Sequence, residues 1–98
     1  MPGIKRVAVV TGSAGGLGAA FAGKLAQDGM AVAVVDIKDG SETVAAIRAS
    51  GGEAEFFARD MSDPDGVAKL GTDVEARFGG ADVLINNAGR NDNCGFDD

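Results

Sequence analysis

The chain contains no histidine, tyrosine or tryptophan, and only one cysteine. Within these residues there is therefore no His-based triad, no His or multi-Cys metal site, no Tyr acid/base and no disulfide framework. Positive charge is also scarce. Nine Lys and Arg against fifteen Asp and Glu leave a net charge of −6, a field that repels nucleic acid and anionic membrane. No run approaches the ~20 apolar residues that span a bilayer. The segment from Met1 to Arg6 lacks a long apolar region and a small-residue cleavage site, so no signal peptide is expected. Lone Cys94 suits a reducing compartment, and a cytoplasmic setting is the expectation.

What is present fits one small α/β domain. Ninety-eight residues, 45% apolar and 24% charged, have the balance of a globular protein, although a chain this short hides only ~60–65% of its unfolded surface. Sixteen glycines are more than twice the usual ~7%. Most of them punctuate apolar segments, as turns do in an alternating fold.

Val7-Ala8-Val9-Val10 is short, β-branched and unbroken by polar residues, the pattern of a strand covered on both faces. A Gly-rich turn from Thr11 to Gly18 follows. Leu17, Phe21 and Leu25 then recur at helical spacing until Gly29 stops the helix. Ala31 to Val35 reads as a second buried strand ending in Asp36. Ser41 opens a helix running to about Ser50, and Ala54 to Ala58 makes a third strand. Ser62-Asp63-Pro64-Asp65 offers N-cap candidates, a proline for the first helical position and an acid for the first turn. Val67, Leu70, Val74 and Phe78 give that third helix its apolar stripe, and Asp82 to Asn86 forms a fourth strand. Strands alternating with helices require right-handed crossovers, so the expected fold is a Rossmann-type parallel sheet with helices on both faces. In the order 3-2-1-4 the fourth strand is an edge, yet Val83-Leu84-Ile85 carries no charge or proline to protect it. A strand that apolar expects a neighbour. Residues 1–98 therefore read as an incomplete half-domain, truncated after the fourth strand.

Three candidate sites fall at the carboxyl ends of strands, where open α/β sheets bind ligands. The first is Thr11-Gly12-Ser13-Ala14-Gly15-Gly16-Leu17-Gly18. Glycines there let the backbone turn tightly and approach a pyrophosphate, while the following helix aims its free N–H groups and positive dipole end at it. A turn needing glycine for sterics alone is the alternative. Gly18 to Leu25 nearly matches a phosphate loop of the form G-x-x-x-x-G-K-[ST], but it lacks the hydroxyl residue and lies within the helix, so Lys24 reads as a solvated charge. Asp36, the second site, lies close to the ~20-residue spacing expected of a carboxylate that holds an adenosine ribose diol. It would repel a 2′-phosphate and so favours NAD over NADP; nearby Lys38 argues weakly the other way. A strand-end turn is its plainer role. The third site joins Asp60-Met61 to Asn86-Asn87-Ala88-Gly89, each of which also suits an ordinary turn or N-cap.

Together, Thr11-Gly12-x-x-x-Gly16-x-Gly18, Asp36, Asp60-Met61 and Asn86-Asn87-Ala88-Gly89 closely resemble the short-chain dehydrogenase/reductase family over nearly the whole chain. The resemblance implies that Gly12, Gly16, Leu17 and Gly18 line the dinucleotide pyrophosphate. It places Asp36 and Ile37 on the adenosine ribose, and Asp60 and Met61 on the adenine. Asn86, Ala88 and Gly89 would flank the path to the nicotinamide, with Asn87 bracing the sheet. It further implies hydride transfer between a nicotinamide cofactor and an alcohol or carbonyl substrate, and a homo-oligomer when complete. The family's catalytic Ser and Tyr-x-x-x-Lys lie beyond the Asn-Asn-Ala-Gly strand and are absent from this chain, which is expected to be inactive by itself. The rival reading is a stand-alone nucleotide-binding or partner-binding module without catalysis.

Overall fold

A computed structural model describes residues 6–60 and 62–86. Seven elements alternate along the chain: β1 (Val7–Thr11), α1 (Gly16–Gln27), β2 (Ala31–Asp36), α2 (Ser41–Ala49), β3 (Glu53–Ala58), α3 (Pro64–Phe78) and β4 (Val83–Asn86). The strands form one parallel sheet in the order β3-β2-β1-β4, as the alternation of elements predicts. Among the described residues, no helix is long and apolar enough to cross a membrane.

The core follows from the two-residue period of a strand, which sends neighbouring side chains to opposite faces. Val7, Val9, Ala31, Ala33 and Val35 face α3 and meet its Leu70 and Val74, with Phe57 and Phe78 packed alongside. Val10, Val32, Val34 and Ala54 face the other way, onto Ala22 of α1 and Val44 and Ile47 of α2. β1 is buried along its whole length, and β2 is buried up to its last residue. This is why both strands read as unbroken apolar runs.

The entry to α3 follows its sequence closely. Asp63 is the N-cap and accepts a hydrogen bond from Asp65 N, Pro64 sits in the first turn, and Gly79 ends the helix in a left-handed conformation. α1 departs from expectation. Its buried residues are Gly18 and Ala22, with Leu25 and Ala26 packed against the same cluster. Leu17 is 64% exposed and Phe21 41%. Positions 18, 22, 25 and 26 follow the i, i+4, i+7, i+8 spacing of one helical face. A strict four-residue stripe such as 17, 21, 25 instead drifts around the axis by about 40° per step. The helix therefore meets the sheet on its small residues.

Candidate functional site

The turn between β1 and α1 is shorter than its glycines suggest: Thr11 completes β1, and Gly16 already begins α1. Only residues 12–15 lie between. Gly12 and Gly16 have φ of +66° and +61°, in the left-handed region that a side chain disfavours. Gly15 is the N-cap of α1 and supplies no side-chain cap, and no acidic residue occupies the first turn. Among the described residues, a Cβ on Gly15 or Gly16 would meet nothing within 4 Å. The positive end of α1 is thus uncrowded at Gly15 and Gly16 among these residues, with no carboxylate in its own first turn to neutralise it.

Three side chains hold this loop in place. Ser13 is fully buried; its hydroxyl donates to Val10 O at 2.6 Å and accepts from Val35 N at 3.1 Å. Thr43, reaching over from α2, donates its hydroxyl to Ser13 O at 2.9 Å, with Ala14 O at 3.2 Å sharing it. Asp36 Oδ2 accepts from Ala14 N at 2.9 Å, and its Oδ1 accepts from Lys38 N at 3.1 Å. Asp36 is thereby fixed against the glycine loop. Each carboxylate oxygen retains a second acceptor direction.

The remaining candidates arrive on the same end of the sheet. Arg59 N donates to Asp36 O at 3.1 Å, carrying the β3 exit alongside that of β2. The Arg59 guanidinium is committed to Asp73 of α3 and to the Ala58 carbonyl. Thr11 Oγ1 donates to Asn86 Oδ1 at 3.0 Å, so Asn86 ties the ends of β1 and β4 together. Gly12, Gly16, Leu17, Gly18, Asp36, Ile37, Asp60 and Asn86 all stand at or just past the carboxyl ends of the strands. Leu17 and Ile37 are exposed at 64% and 70%.

Asp60 serves its own turn: Oδ1 accepts from both Oγ and N of Ser62, at 2.7 and 2.9 Å. Those bonds hold its carboxyl below the ordinary range, the Ser62 hydroxyl contributing most. Met61, Asn87, Ala88, Gly89 and Cys94 lie outside the described residues. Lys24 lies inside α1 and pairs with Asp28 at 3.3 Å, as a solvated helix charge does, so the apparent phosphate loop around it is ordinary helix.

Ser13 falls inside the glycine turn with no role of its own legible there, and Thr43 gives no sign in the sequence of belonging to the site. Ser13 sits at an unspecified position of Gly12-x-x-x-Gly16-x-Gly18, and Thr43 is separated from the loop by about thirty residues. A hydroxyl among Glu42, Val44 and Ala45 gives no local sign that it points inward.

A parallel sheet wound in this order, with a glycine turn opening onto a helix N-terminus and a carboxylate closing the next strand, defines a Rossmann-type α/β protein. Residues 6–98 match the family model described as short chain dehydrogenase, and the chain belongs to that family. Over 86 residues it is 48% identical to cis-4-hydroxycyclohexanecarboxylate dehydrogenase of Sinomonas cyclohexanicum, covering 87% of this chain and 34% of that protein. A metagenomic short-chain oxidoreductase crystallised in complex with NADP superposes with a TM-score of 0.81 at 45% identity, covering 87% of this chain and 39% of the other. A D-mannonate oxidoreductase from Haemophilus influenza, with bound NAD, gives 0.83 at 27% identity, covering 89% and 32%. The chain spans about a third of the length of these relatives.

Proposed function

We propose that these residues form the dinucleotide-binding part of an NAD-preferring short-chain oxidoreductase, acting in the cytoplasm on an alcohol or carbonyl substrate. The open end of α1 would receive the pyrophosphate, with Gly12, Gly16, Leu17 and Gly18 around it. Asp36 and Ile37 would meet the adenosine ribose, Asp60 and Met61 the adenine, and Asn86, Ala88 and Gly89 the path toward the nicotinamide. When bound, the nicotinamide would supply or accept the hydride. No residue here supplies a Tyr acid/base, since the chain has no tyrosine; that role falls to residues outside it, and the 98-residue chain by itself is inactive.

One observation carries the preference for NAD: the Asp36 carboxylate is held 2.9 Å from Ala14 N, beside the loop that would seat the pyrophosphate. Two free acceptor directions suit a ribose diol, whereas a 2′-phosphate would bring like charge against it. The nearby Arg59 cation, already committed to Asp73, is poorly placed to offset that repulsion. In the complete protein, Asp36→Ala should narrow the NAD-over-NADP ratio of kcat/KM by about tenfold or more. An unchanged ratio would remove the assignment.

The outer flank of β4, which pairs with no strand among the described residues, favours a second reading, a nucleotide-binding module that seats a partner strand there without catalysis. The complete gene product decides between them: turnover of secondary alcohols or ketones with a dinucleotide supports the oxidoreductase, and saturable dinucleotide binding with no turnover supports the module.

A further inference from the structure

Thr43 belongs to no recognised element of the glycine motif, yet it is 7% exposed and spends its hydroxyl on the loop. A peptide group is planar, with its C=O and N–H pointing to opposite sides. The peptide joining Ser13 to Ala14 is gripped on both sides, its oxygen by Thr43 Oγ1 at 2.9 Å and its N–H by Asp36 Oδ2 at 2.9 Å. In the next peptide, Ala14 O shares the same hydroxyl at 3.2 Å, which turns the Gly15 N–H away from α2. Gly15 is the N-cap of α1, so the orientation of this plane sets where the helix N-terminus begins.

We propose that Thr43 is a positioning residue for the dinucleotide, its hydroxyl orienting the 13–14 and 14–15 peptides so that the N-terminal N–H groups of α1 are set before the pyrophosphate arrives. Preorganisation of this kind strengthens binding by removing an ordering cost. The inference rests on the dinucleotide-binding reading above and extends it to a residue on a different helix.

The test uses the complete protein carrying this chain, with Thr43→Val, Thr43→Ser and Thr43→Ala variants. Dissociation constants for NAD and NADP are measured by calorimetry, and amide exchange over residues 13–18 is followed without cofactor. If the hydroxyl is what matters, Thr43→Ser stays within about twofold of the parent, while Thr43→Val and Thr43→Ala weaken binding by about tenfold, the loss of roughly one hydrogen bond. Exchange over 13–18 then rises in those two variants and stays unchanged over 31–35. A Thr43→Val protein that binds like the parent while Thr43→Ser is weakened would assign the effect to packing and overturn the proposal. If Thr43→Val fails to fold, Thr43→Ser against Thr43→Ala makes the same decision: parent-like Ser with weakened Ala upholds it, and equal weakening refutes it. A parent that binds neither dinucleotide removes the function proposed above, whereas unaltered loop exchange in Thr43→Ala removes the clamp itself.

Discussion

Along β3, Arg48 of α2 donates to the Ala54 carbonyl at 2.8 and 3.2 Å and pairs with Glu55. Arg77 of α3 reaches Glu53 and Glu55 at 3.3 and 3.2 Å and lies over the Phe78 ring. Along β4 the picture reverses. Leu84 is 64% exposed, no charged residue occurs between Val83 and Asn86, and the Asp82 carboxylate just before them is turned inward onto Val7 N at 2.9 Å. Both are outer strands among the described residues, but only β3 has the chemistry of a boundary. Charges and a capped carbonyl deter a further strand from pairing there. β4 presents the surface of an interior strand, apolar and undefended.

Three changes would break or sharpen that contrast. The largest effect is expected from Leu84→Lys. The 98-residue polypeptide expressed alone should self-associate through β4, and the lysine should raise its dissociation constant by about tenfold or more, as read by analytical ultracentrifugation. Equal association of the two would show that β4 is not the sticky edge. Next comes Arg77→Ala, which removes two half-exposed ion pairs and the stacking on Phe78. About 0.5–1 kcal/mol of stability should be lost, seen as a lower urea midpoint, with increased association at high concentration. A variant that stays dispersed would mean that the β3 charges do not protect the edge.

The smallest effect lies in the turn leaving β3. Asp60 and, before α2, Asp39 have carboxyls held below the ordinary value by bonds from Ser62 and Ser41 respectively. A depressed folded-state value means that the stabilisation is fully present above the unfolded value near 4. It is lost as pH falls through the folded value. Urea midpoints measured between pH 6 and 3 should decline more steeply for the parent than for Asp60→Asn, and parallel curves would deny Asp60 this role.

The same contrast marks what the residues disclose and what they conceal. β1 and β2 announce themselves because burial on both faces demands an unbroken apolar run. Asp63-Pro64-Asp65 announces α3 because each residue acts within one turn of itself. The buried face of α1 was obscured by its larger side chains: Leu17 and Phe21 draw the eye, whereas Gly18 and Ala22 do the packing. Asp36 could be placed at a strand end from spacing alone. Its bond to Ala14, like that of Ser13 with Val35 and those of Thr43, depends on neighbours more than twenty residues away, and no local pattern encodes such a meeting.

The two-handed grip of Asp36 has a consequence for anyone wishing to alter the cofactor preference proposed for this scaffold. Its two oxygens each receive a backbone N–H, from Ala14 and from Lys38, and only a carboxylate offers an acceptor on both sides. Asparagine would set an amide donor against one of those N–H groups, and alanine would abandon both. Removing the charge at position 36 therefore cannot be a purely electrostatic edit. It also unfastens either the glycine loop or the turn after β2, and a successful redesign would need a second substitution that restores the missing acceptor.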